Sequence, residues 1–186
     1  QTLVQLMRNN VFVDASEITD WPAFAWRGFM VDVGRNYQSI KLLKQQIDVM
    51  AAYKLNIFHF HPTEDIAWRL QSKLYPQLTD PEYMHRDKGE YYTENDLKEL
   101  INYCKERYIT LVPEIDMPGH SAAFKRAMGV DMQSDEGLEI VKNIIKEFCT
   151  TYDVPYLHLG ADEVKITNQN FLPEVIAQTE SLGKKV

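Results

Sequence analysis

The chain contains little cysteine, no block of basic residues and no long hydrophobic run, and each shortage narrows the range of functions. Its two cysteines, Cys104 and Cys149, lie in predicted helices without the spacing of metal ligands, so we expect buried, unreactive thiols. A net charge of -7 without clustered Lys or Arg argues against nucleic acids and anionic membranes as partners. No apolar stretch is long enough to span a bilayer, so we predict no membrane insertion.

What the sequence does contain is an alternation of short apolar runs with amphipathic helical patterns. Strands are predicted at residues 29–33, 56–60, 109–115 and 156–160. Helices are predicted at residues 39–53, 93–107, 135–152 and 168–182. Ser39 and Thr93 cap the first two, and Asp96 predicts a capping box with Thr93. This alternation predicts an α/β fold with a parallel sheet.

Four strand-helix units leave two architectures open. A closed barrel of this type needs eight units, so the chain is either a small open sheet or the first half of a barrel. Residues 2–7 predict the end of a helix that Asn9 and Asn10 break, and residues 11–22 predict a linker with one short extended piece. We therefore divide the chain into residues 1–22 and an α/β domain at residues 23–186. A polar segment at residues 62–91 is too long for a simple connection, and such loops are usually functional.

Polar side chains cluster near the predicted strands, mostly where each strand ends. They are Arg27, Asp32 and Arg35 near the first strand, His59, His61, Glu64 and Asp65 at the second, Glu114, Asp116 and His120 at the third, and Asp162 and Glu163 at the fourth. Taken singly, each is compatible with a core histidine, a solvated loop or a turn. Because the carboxyl ends of parallel strands share one edge of a sheet, their coincidence predicts a single site there.

Asp162 and Glu163 are the most informative pair, because they stop an apolar run. Placing carboxylates at the end of a buried strand costs free energy of folding, which a functional role would explain. Neighbouring carboxyls can hold different pKa values, so that one acts as an acid while the other stays ionised. Gly160 permits the irregular backbone that would bring both side chains to one pocket. The alternative is an acidic first turn of a helix, which favours the helix dipole.

Several longer motifs resemble glycoside hydrolase family 20, the β-N-acetylhexosaminidases. They are AWRGFMVDV at residues 25–33, YKLN at 53–56 running into HFH at 59–61, WR at 68–69, PEIDMPGH at 113–120 and HLGADEV at 158–164. The resemblance implies a (β/α)8 TIM-barrel catalytic domain, with its first four β/α units in residues 23–186. It also implies removal of terminal β-linked N-acetylglucosamine or N-acetylgalactosamine by a retaining, substrate-assisted mechanism through an oxazolinium, without a metal or other cofactor.

The resemblance also assigns roles to individual residues. Glu163 would be the general acid and later the base, and Asp162 would orient the 2-acetamido group of the substrate. Arg27 would hold sugar hydroxyls, and His120, with an acid from the loop after the second strand, would set the charge and position of Glu163. Further contacts to the carbohydrate are expected from Glu64, Asp65, His61 and Asp116. By family analogy alone, the location would be periplasmic, secreted or at the cell surface.

Three positions depart from the family pattern and predict altered preference with retained chemistry. Glu64 replaces a usual Asp, so either Asp65 takes that role or the local backbone adjusts to the extra methylene. Ala161 replaces a usual Gly, which has little consequence if its φ is negative. Asn36 replaces a usual His.

Half a barrel would leave strand edges open, so we expect the isolated chain to be weakly active or inactive. Its expected partner is the remaining half of the barrel or a second copy of the chain. Two alternatives to the glycosidase remain. His59 and His61 share one face of a strand and would suit a metal-dependent hydrolase. A non-catalytic glycan-binding relative is the other alternative.

Overall fold

Strands and helices alternate through most of the chain in the computed structural model, which describes residues 2–7 and 12–186. The strands are β1 (Gly28–Asp32), β2 (Ile57–His61) and β3 (Thr110–Pro113). The helices are α1 (Thr2–Met7), α2 (Ile40–Ala52), α3 (Glu94–Lys105), α4 (Ala122–Met128), α5 (Asp135–Thr151) and α6 (Phe171–Ser181). The predicted helix break at Asn9 and Asn10 lies outside the described residues. Within them, no helix is both long and apolar enough to cross a membrane.

The three strands form a parallel sheet in the order β1-β2-β3. Asp32 at the end of β1 pairs with His61 at the end of β2, so the strand ends lie level with one another. Side chains alternate between the faces of a strand. Phe58 and Phe60 therefore pack towards the helices, whereas His59 and His61 point to the opposite face. The predicted parallel sheet is confirmed for these three strands.

The predicted fourth strand at residues 156–160 does not form a regular strand. The segment runs parallel to β3, but its pairing with that side of the sheet is a bridge between Glu114 and His158. The His158 N–H donates to the Pro113 carbonyl, and the Ile115 N–H donates to the His158 carbonyl. The chain then leaves the sheet at Gly160, whose φ of 68° cannot continue a strand. The prediction of a regular strand was therefore wrong, although the segment lies where a fourth strand of the sheet would lie.

The four predicted helices are present, with ends that differ from the predicted ones by at most three residues. The Ser39 side chain accepts a hydrogen bond from the Leu42 N–H at the start of α2. Thr93 and Asp96 form the predicted capping box at the start of α3. Helix α4 was not predicted, because its seven residues are too few to show a helical period.

The core lies between the sheet and helices α2, α3 and α5. The largest contributions come from fully buried apolar side chains, among them Leu43, Ile47, Phe58, Phe60, Leu97, Leu100 and Ile145. Both cysteines are buried free thiols, as expected. Burial raises the pKa of Cys104 to about 12 and that of Cys149 to about 11, so both stay protonated and unreactive near neutral pH.

The polar segment at residues 62–91 is an ordered loop that includes two 3-10 turns, Pro76–Thr79 and Pro81–Tyr83. Its anchor is the fully buried Arg69, whose guanidinium donates to the carbonyls of Gly34, Arg86 and Glu90. A buried guanidinium needs such acceptors, because its charge cannot be removed. The loop is thereby fixed against the turn that follows β1.

The free edge of β1 leaves apolar side chains in solvent. In the described part of the chain, β1 pairs with β2 alone. Phe29 and Met30 on β1 are 49% and 47% exposed, and the preceding Trp26 is 54% exposed. An exposed apolar strand edge is a surface that another strand or another chain can cover.

Removing the cap of α3 should lower stability without touching the strand ends. Thr93→Ala deletes the side-chain acceptor of the capping box, so the free energy of unfolding should fall by about 1 kcal/mol. Denaturant titration followed by circular dichroism measures this change. The matched control is Thr150→Ala, since that exposed hydroxyl donates to the carbonyls of Lys146 and Glu147 in its own helix and caps nothing. The control should stay within about 0.5 kcal/mol of wild type, and an equal loss in both variants would contradict the assignment.

Candidate functional site

An open pocket lies at the carboxyl ends of the strands, on the edge that the sequence pattern indicates. Its lining consists of Met30, Arg35, His61, Glu64, Glu114, Asp116, His120, Asp162 and Glu163. Six of the eight predicted site residues therefore meet in one place. Asp65 and Arg27 do not line this pocket.

The two central carboxylates reach the pocket through a strained turn. Gly160, Ala161 and Glu163 have φ values of 68°, 77° and 51°. A Cβ at position 160 would lie 1.9 Å from Asp116 Oδ1, so glycine is required there for space as well as for φ. The irregular geometry expected at Gly160 is confirmed. Ala161 does not have the negative φ that would make it inconsequential, and residues held in this region cluster at functional sites.

His120 links a buried carboxylate to an exposed one. Its Nδ1 lies 3.0 Å from Glu64 Oε1, and its Nε2 lies 3.3 Å from Glu163 Oε2. The Glu64 side chain is 2% exposed and that of Glu163 is 75% exposed. The ring therefore connects an anion inside the protein with a carboxyl group that is free to meet a substrate. A base or acid oriented by a third group in this way is a recurrent catalytic arrangement.

The structure distinguishes the two acids that follow β2. Asp65 lies beside the pocket without lining it, and its Oδ1 accepts a hydrogen bond from the Ala122 N–H at 2.8 Å. Its own backbone N–H donates to Glu64 Oε2 at 2.5 Å. Glu64, and not Asp65, is therefore the acid that contacts His120. Of the two alternatives, the one in which Asp65 replaces Glu64 in this contact is not what the structure shows, and the adjustment of the backbone to the extra methylene stays a prediction.

Glu114 is a buried acid to which the sequence analysis gave no role. His59 Nε2 lies 2.5 Å from Glu114 Oε2, His61 Nδ1 lies 2.8 Å from the same oxygen, and His158 Nδ1 lies 3.4 Å from Oε1. Burial disfavours its charge, but the histidines outweigh burial and hold the pKa of Glu114 well below its usual range. The signal was available, since Glu114 and Asp116 stand two apart and share a face at the end of β3.

The histidines around Glu114 respond to its charge. The hydrogen bond to Glu114 raises the pKa of His158 despite partial burial. Burial opposes protonation of His61, but the Glu114 carboxylate outweighs burial and raises the pKa of that imidazole as well. The geometry of the His61 contact is not that of a well-aligned hydrogen bond, so this interaction is mainly electrostatic. The cluster thus balances one anion against several imidazoles.

Asp116 lies deeper in the pocket and is 1% exposed. Burial, followed by repulsion from Glu114, raises the pKa of Asp116 to about 6. The Ala161 N–H donates to Asp116 Oδ1 at 3.3 Å, which ties the strained turn to the end of β3. Near neutral pH a fraction of Asp116 therefore stays protonated and can donate a hydrogen bond to a ligand oxygen.

Arg27 lies at the amino ends of the strands, at the end of the sheet opposite the pocket. It directly precedes β1, and its Nε donates to the Lys54 carbonyl at 2.8 Å while Nη1 donates to the Phe24 carbonyl at 2.6 Å. Its backbone carbonyl accepts the Ile57 N–H, at the start of β2. The structure therefore does not bring Arg27 to the other site residues. Its contact with sugar hydroxyls stays a prediction.

Several groups at or next to the pocket have the residue types of metal ligands, among them Glu114 of the pocket with His59 and His158 behind it, whose ligand atoms lie within 4.8 Å of one another. Tetrahedral ligands of zinc are about 3.3 Å apart, since each bond is near 2 Å. The His59 contact with Glu114 is 2.5 Å, which is a hydrogen-bonding distance and shorter than that spacing. The geometry favours sharing of protons between these side chains over joint ligation of an ion.

Asp116→Asn should remove a pH-dependent penalty on folding. Because burial raises the pKa of Asp116 from 3.8 to about 6, its contribution to stability is present below pH 3.8 and is lost as the pH rises through about 6. One pKa unit corresponds to about 1.4 kcal/mol, so the variant should gain roughly 1 to 3 kcal/mol relative to wild type between about pH 4 and pH 7. Denaturant titrations at both pH values measure the gain. The exposed Asp14→Asn is the control, and a pH-independent difference for Asp116→Asn would refute the assignment.

The comparisons with known proteins agree with this geometry. The sequence model of glycosyl hydrolase family 20, catalytic domain, matches residues 24–134. A beta-hexosaminidase from Porphyromonas gingivalis is 36% identical over 200 residues, which cover 88% of this chain and 26% of the relative. One from Akkermansia muciniphila is 42% identical over 175 residues, covering 78% of this chain and 36% of the relative. The chain spans about a quarter to a third of the length of the first curated relatives it matches.

Solved structures give the same result. The beta-N-acetylhexosaminidase of Bacteroides fragilis has a TM-score of 0.80 and 32% identity, with 89% of this chain and 41% of that chain covered. The exo beta-N-acetylglucosaminidase of Vibrio harveyi, solved with N-acetylglucosamine, has a TM-score of 0.81 and 26% identity, with 89% and 35% covered. Sequence motifs, the parallel sheet and the family match therefore agree: this chain belongs to glycosyl hydrolase family 20 and forms part of the family's (β/α)8 catalytic barrel.

Proposed function

We propose that the full-length protein that contains this sequence is an exo-acting β-N-acetylhexosaminidase, which removes terminal β-linked N-acetylglucosamine or N-acetylgalactosamine. One observation carries the proposal. Glu163, held by His120, stands beside Asp162 in an open pocket at the carboxyl ends of the strands. In barrels of this type the catalytic groups lie at that edge. The relatives named above supply the class of substrate.

The first step is the departure of the leaving group. The exposed carboxyl of Glu163 donates its proton to the glycosidic oxygen, so that the group leaves as a neutral alcohol. At the same time the carbonyl oxygen of the substrate's own 2-acetamido group attacks the anomeric carbon from the other face. The bond to the leaving group breaks as the ring of the oxazolinium closes. No covalent bond to the protein is formed.

Asp162 acts on the acetamido group during this step. An ionised carboxylate beside the acetamido nitrogen orients the carbonyl oxygen and stabilises the positive charge that develops. Glu163, now ionised, then removes a proton from water, and the water oxygen opens the oxazolinium at the anomeric carbon. Two displacements on opposite faces retain the β-configuration, and the proton on Glu163 is restored.

The remaining pocket residues would bind the sugar. Asp116 can donate as well as accept hydrogen bonds because burial raises its pKa to about 6. His61 lies beside it on the same edge, with a side chain that is 5% exposed. A pocket with several fixed polar groups suits a polyhydroxylated ligand. Arg27 is assigned to the sugar by the family resemblance alone, since its side chain lies at the amino end of β1 and contacts backbone carbonyls.

We also propose the partner of the exposed β1 edge and the compartment. The occupant of the edge is the remainder of the (β/α)8 barrel, which would cover Phe29 and Met30, and a second copy of the chain is the alternative. The compartment is periplasmic, extracellular or the cell surface, since glycans with terminal N-acetylhexosamines are found there. The assignment of the compartment rests on family analogy.

Glu163→Gln should remove most activity in the full-length protein. With an alkyl β-N-acetylglucosaminide, a poor leaving group, kcat should fall by about 10²- to 10⁴-fold, because protonation by a positioned acid contributes that much. Hydrolysis is measured by release of N-acetylglucosamine. Glu174→Gln, an exposed glutamate on α6, is the matched control and should retain full activity.

Two results would reject the proposal. Loss of wild-type activity with a chelator and recovery with zinc would indicate the metal-dependent hydrolase built on His59 and His61. Sugar binding by calorimetry without any hydrolysis in the wild-type protein would indicate the glycan-binding relative.

The isolated 186-residue chain should bind and turn over substrate weakly or not at all, because part of the barrel is missing from it. The measurement compares kcat/KM of the isolated chain with that of the full-length protein at equal molar concentration. Sedimentation of the isolated chain in the same buffer shows whether a second copy covers β1. Comparable kcat/KM values for a monomeric chain would contradict the expectation.

A further inference from the structure

Arg35 lies between two carboxylates at the mouth of the pocket. Its Nη1 lies 2.6 Å from Asp32 Oδ2, and its backbone N–H donates to Asp32 Oδ1 at 2.9 Å. Its Nη2 forms an ion pair with Glu64 Oε1. Asp32 therefore holds both the backbone and the side chain of Arg35, and the free end of the guanidinium is directed at Glu64.

Glu64 needs this cation because its carboxylate is buried. A charged side chain that is 2% exposed is costly unless an opposite charge is nearby. The same oxygen, Oε1, faces Arg35 on one side and His120 on the other. Neither contact is a well-aligned hydrogen bond, and the permanent charge of the Arg35 guanidinium makes that contact mainly electrostatic. Arg35 is the one guanidinium in contact with Glu64 within the described residues.

The turn after β1 passes directly against Glu64 at Gly34. A Cβ at Gly34 would lie 2.7 Å from the Glu64 Cβ and 3.2 Å from its Cγ, so any other residue at position 34 would push against Glu64. Gly34 thus leaves the space that Glu64 occupies, and the next residue supplies the cation. Gly34, Arg35 and Glu64 together determine where the carboxylate that contacts His120 lies.

We propose that Arg35 is a positioning residue of the hydrolytic reaction. Its guanidinium holds the Glu64 carboxylate directed at His120, and His120 in turn orients Glu163 towards the leaving-group oxygen. Arg35 itself touches no reacting atom in this arrangement. The inference rests on the proposed function, and it assigns to Arg35 and Glu64 a joint role that an aspartate at position 64 would not fill.

The test compares Arg35→Gln with Arg35→Lys in the full-length protein on two substrates. If Arg35 acts through Glu163, the loss in Arg35→Gln depends on how much protonation the leaving group needs. With an alkyl β-N-acetylglucosaminide, kcat should fall by about 10- to 100-fold, as for a catalytic group displaced by about 1 Å. With a nitrophenyl substrate, the fall should be less than about threefold, since a nitrophenolate leaves with little protonation. KM should change little with either substrate, and Arg35→Lys should recover most of the activity.

Glu64→Asp provides a second variant. Shortening the side chain withdraws the carboxylate from Arg35, from His120 or from both, so kcat for the alkyl substrate should fall although the family's usual residue has been introduced. Arg107→Gln is the matched control. That arginine lies in the turn before β3, on the amino side of the strand, where it pairs with Asp48 of α2, and its loss should leave both substrates unaffected.

Each outcome bears on the inference. A rise in KM with unchanged kcat on both substrates would show that Arg35 contacts the sugar directly and would overturn it. An equal fall in kcat on both substrates would also overturn it, because a general structural defect does not depend on the leaving group. If Arg35→Gln does not fold, the comparison of Arg35→Lys and Glu64→Asp with wild type decides by the same criterion.

A wild-type protein without hydrolytic activity would refute the proposed function but not decide the role of Arg35. In that event the ring-nitrogen resonances of His120 decide it. The wild-type spectrum should show a proton fixed on Nδ1, facing Glu64, and Arg35→Gln should shift the ring towards a mixture of tautomers. Identical His120 spectra in the two proteins would overturn the inference.

Discussion

Burial of negative charge at the ends of the strands is the constraint on which the site depends. Glu64 and Glu114 are both almost fully removed from solvent, and a carboxylate in such a place must be paired or neutralised. Glu114 is balanced by the surrounding imidazoles, and Glu64 by Arg35 and His120. Each of the two acids therefore has its own set of nearby groups that compensate its negative charge. As a result, His120 is held between an anion inside the protein and the exposed Glu163.

The backbone carries strain so that this arrangement can exist. His120 and Glu163 both have positive φ values, which are uncommon for residues with side chains. Gly160 allows the chain to pass directly against Asp116, and Gly34 allows it to pass against Glu64. These four positions lie on three loops but serve one pocket. The parallel sheet supplies the rigid base, because its strands end level with one another and the loops begin from a common edge.

Much of the fold followed from local chemistry. The caps at Ser39 and Thr93, the alternation of apolar runs with helices, and the polar residues after each strand were all visible as patterns, and the structure bears them out. Helix α4 is too short to be recognised by its period. A regular fourth strand was predicted but does not form. An apolar run shows only that a segment is buried, whereas regular pairing depends on the partner strand and on where the chain leaves the sheet.

The sequence by itself determined the family, the order of the elements and the edge on which the polar residues would meet, since motif spacing and side-chain period are local properties. Only the tertiary structure decided between Glu64 and Asp65, revealed Glu114 as the centre of the histidine cluster, and placed Arg27 at the far end of β1. These outcomes depend on distances between residues that are remote along the chain. Adjacent acids look alike in a sequence, and burial and neighbouring charges give them different roles.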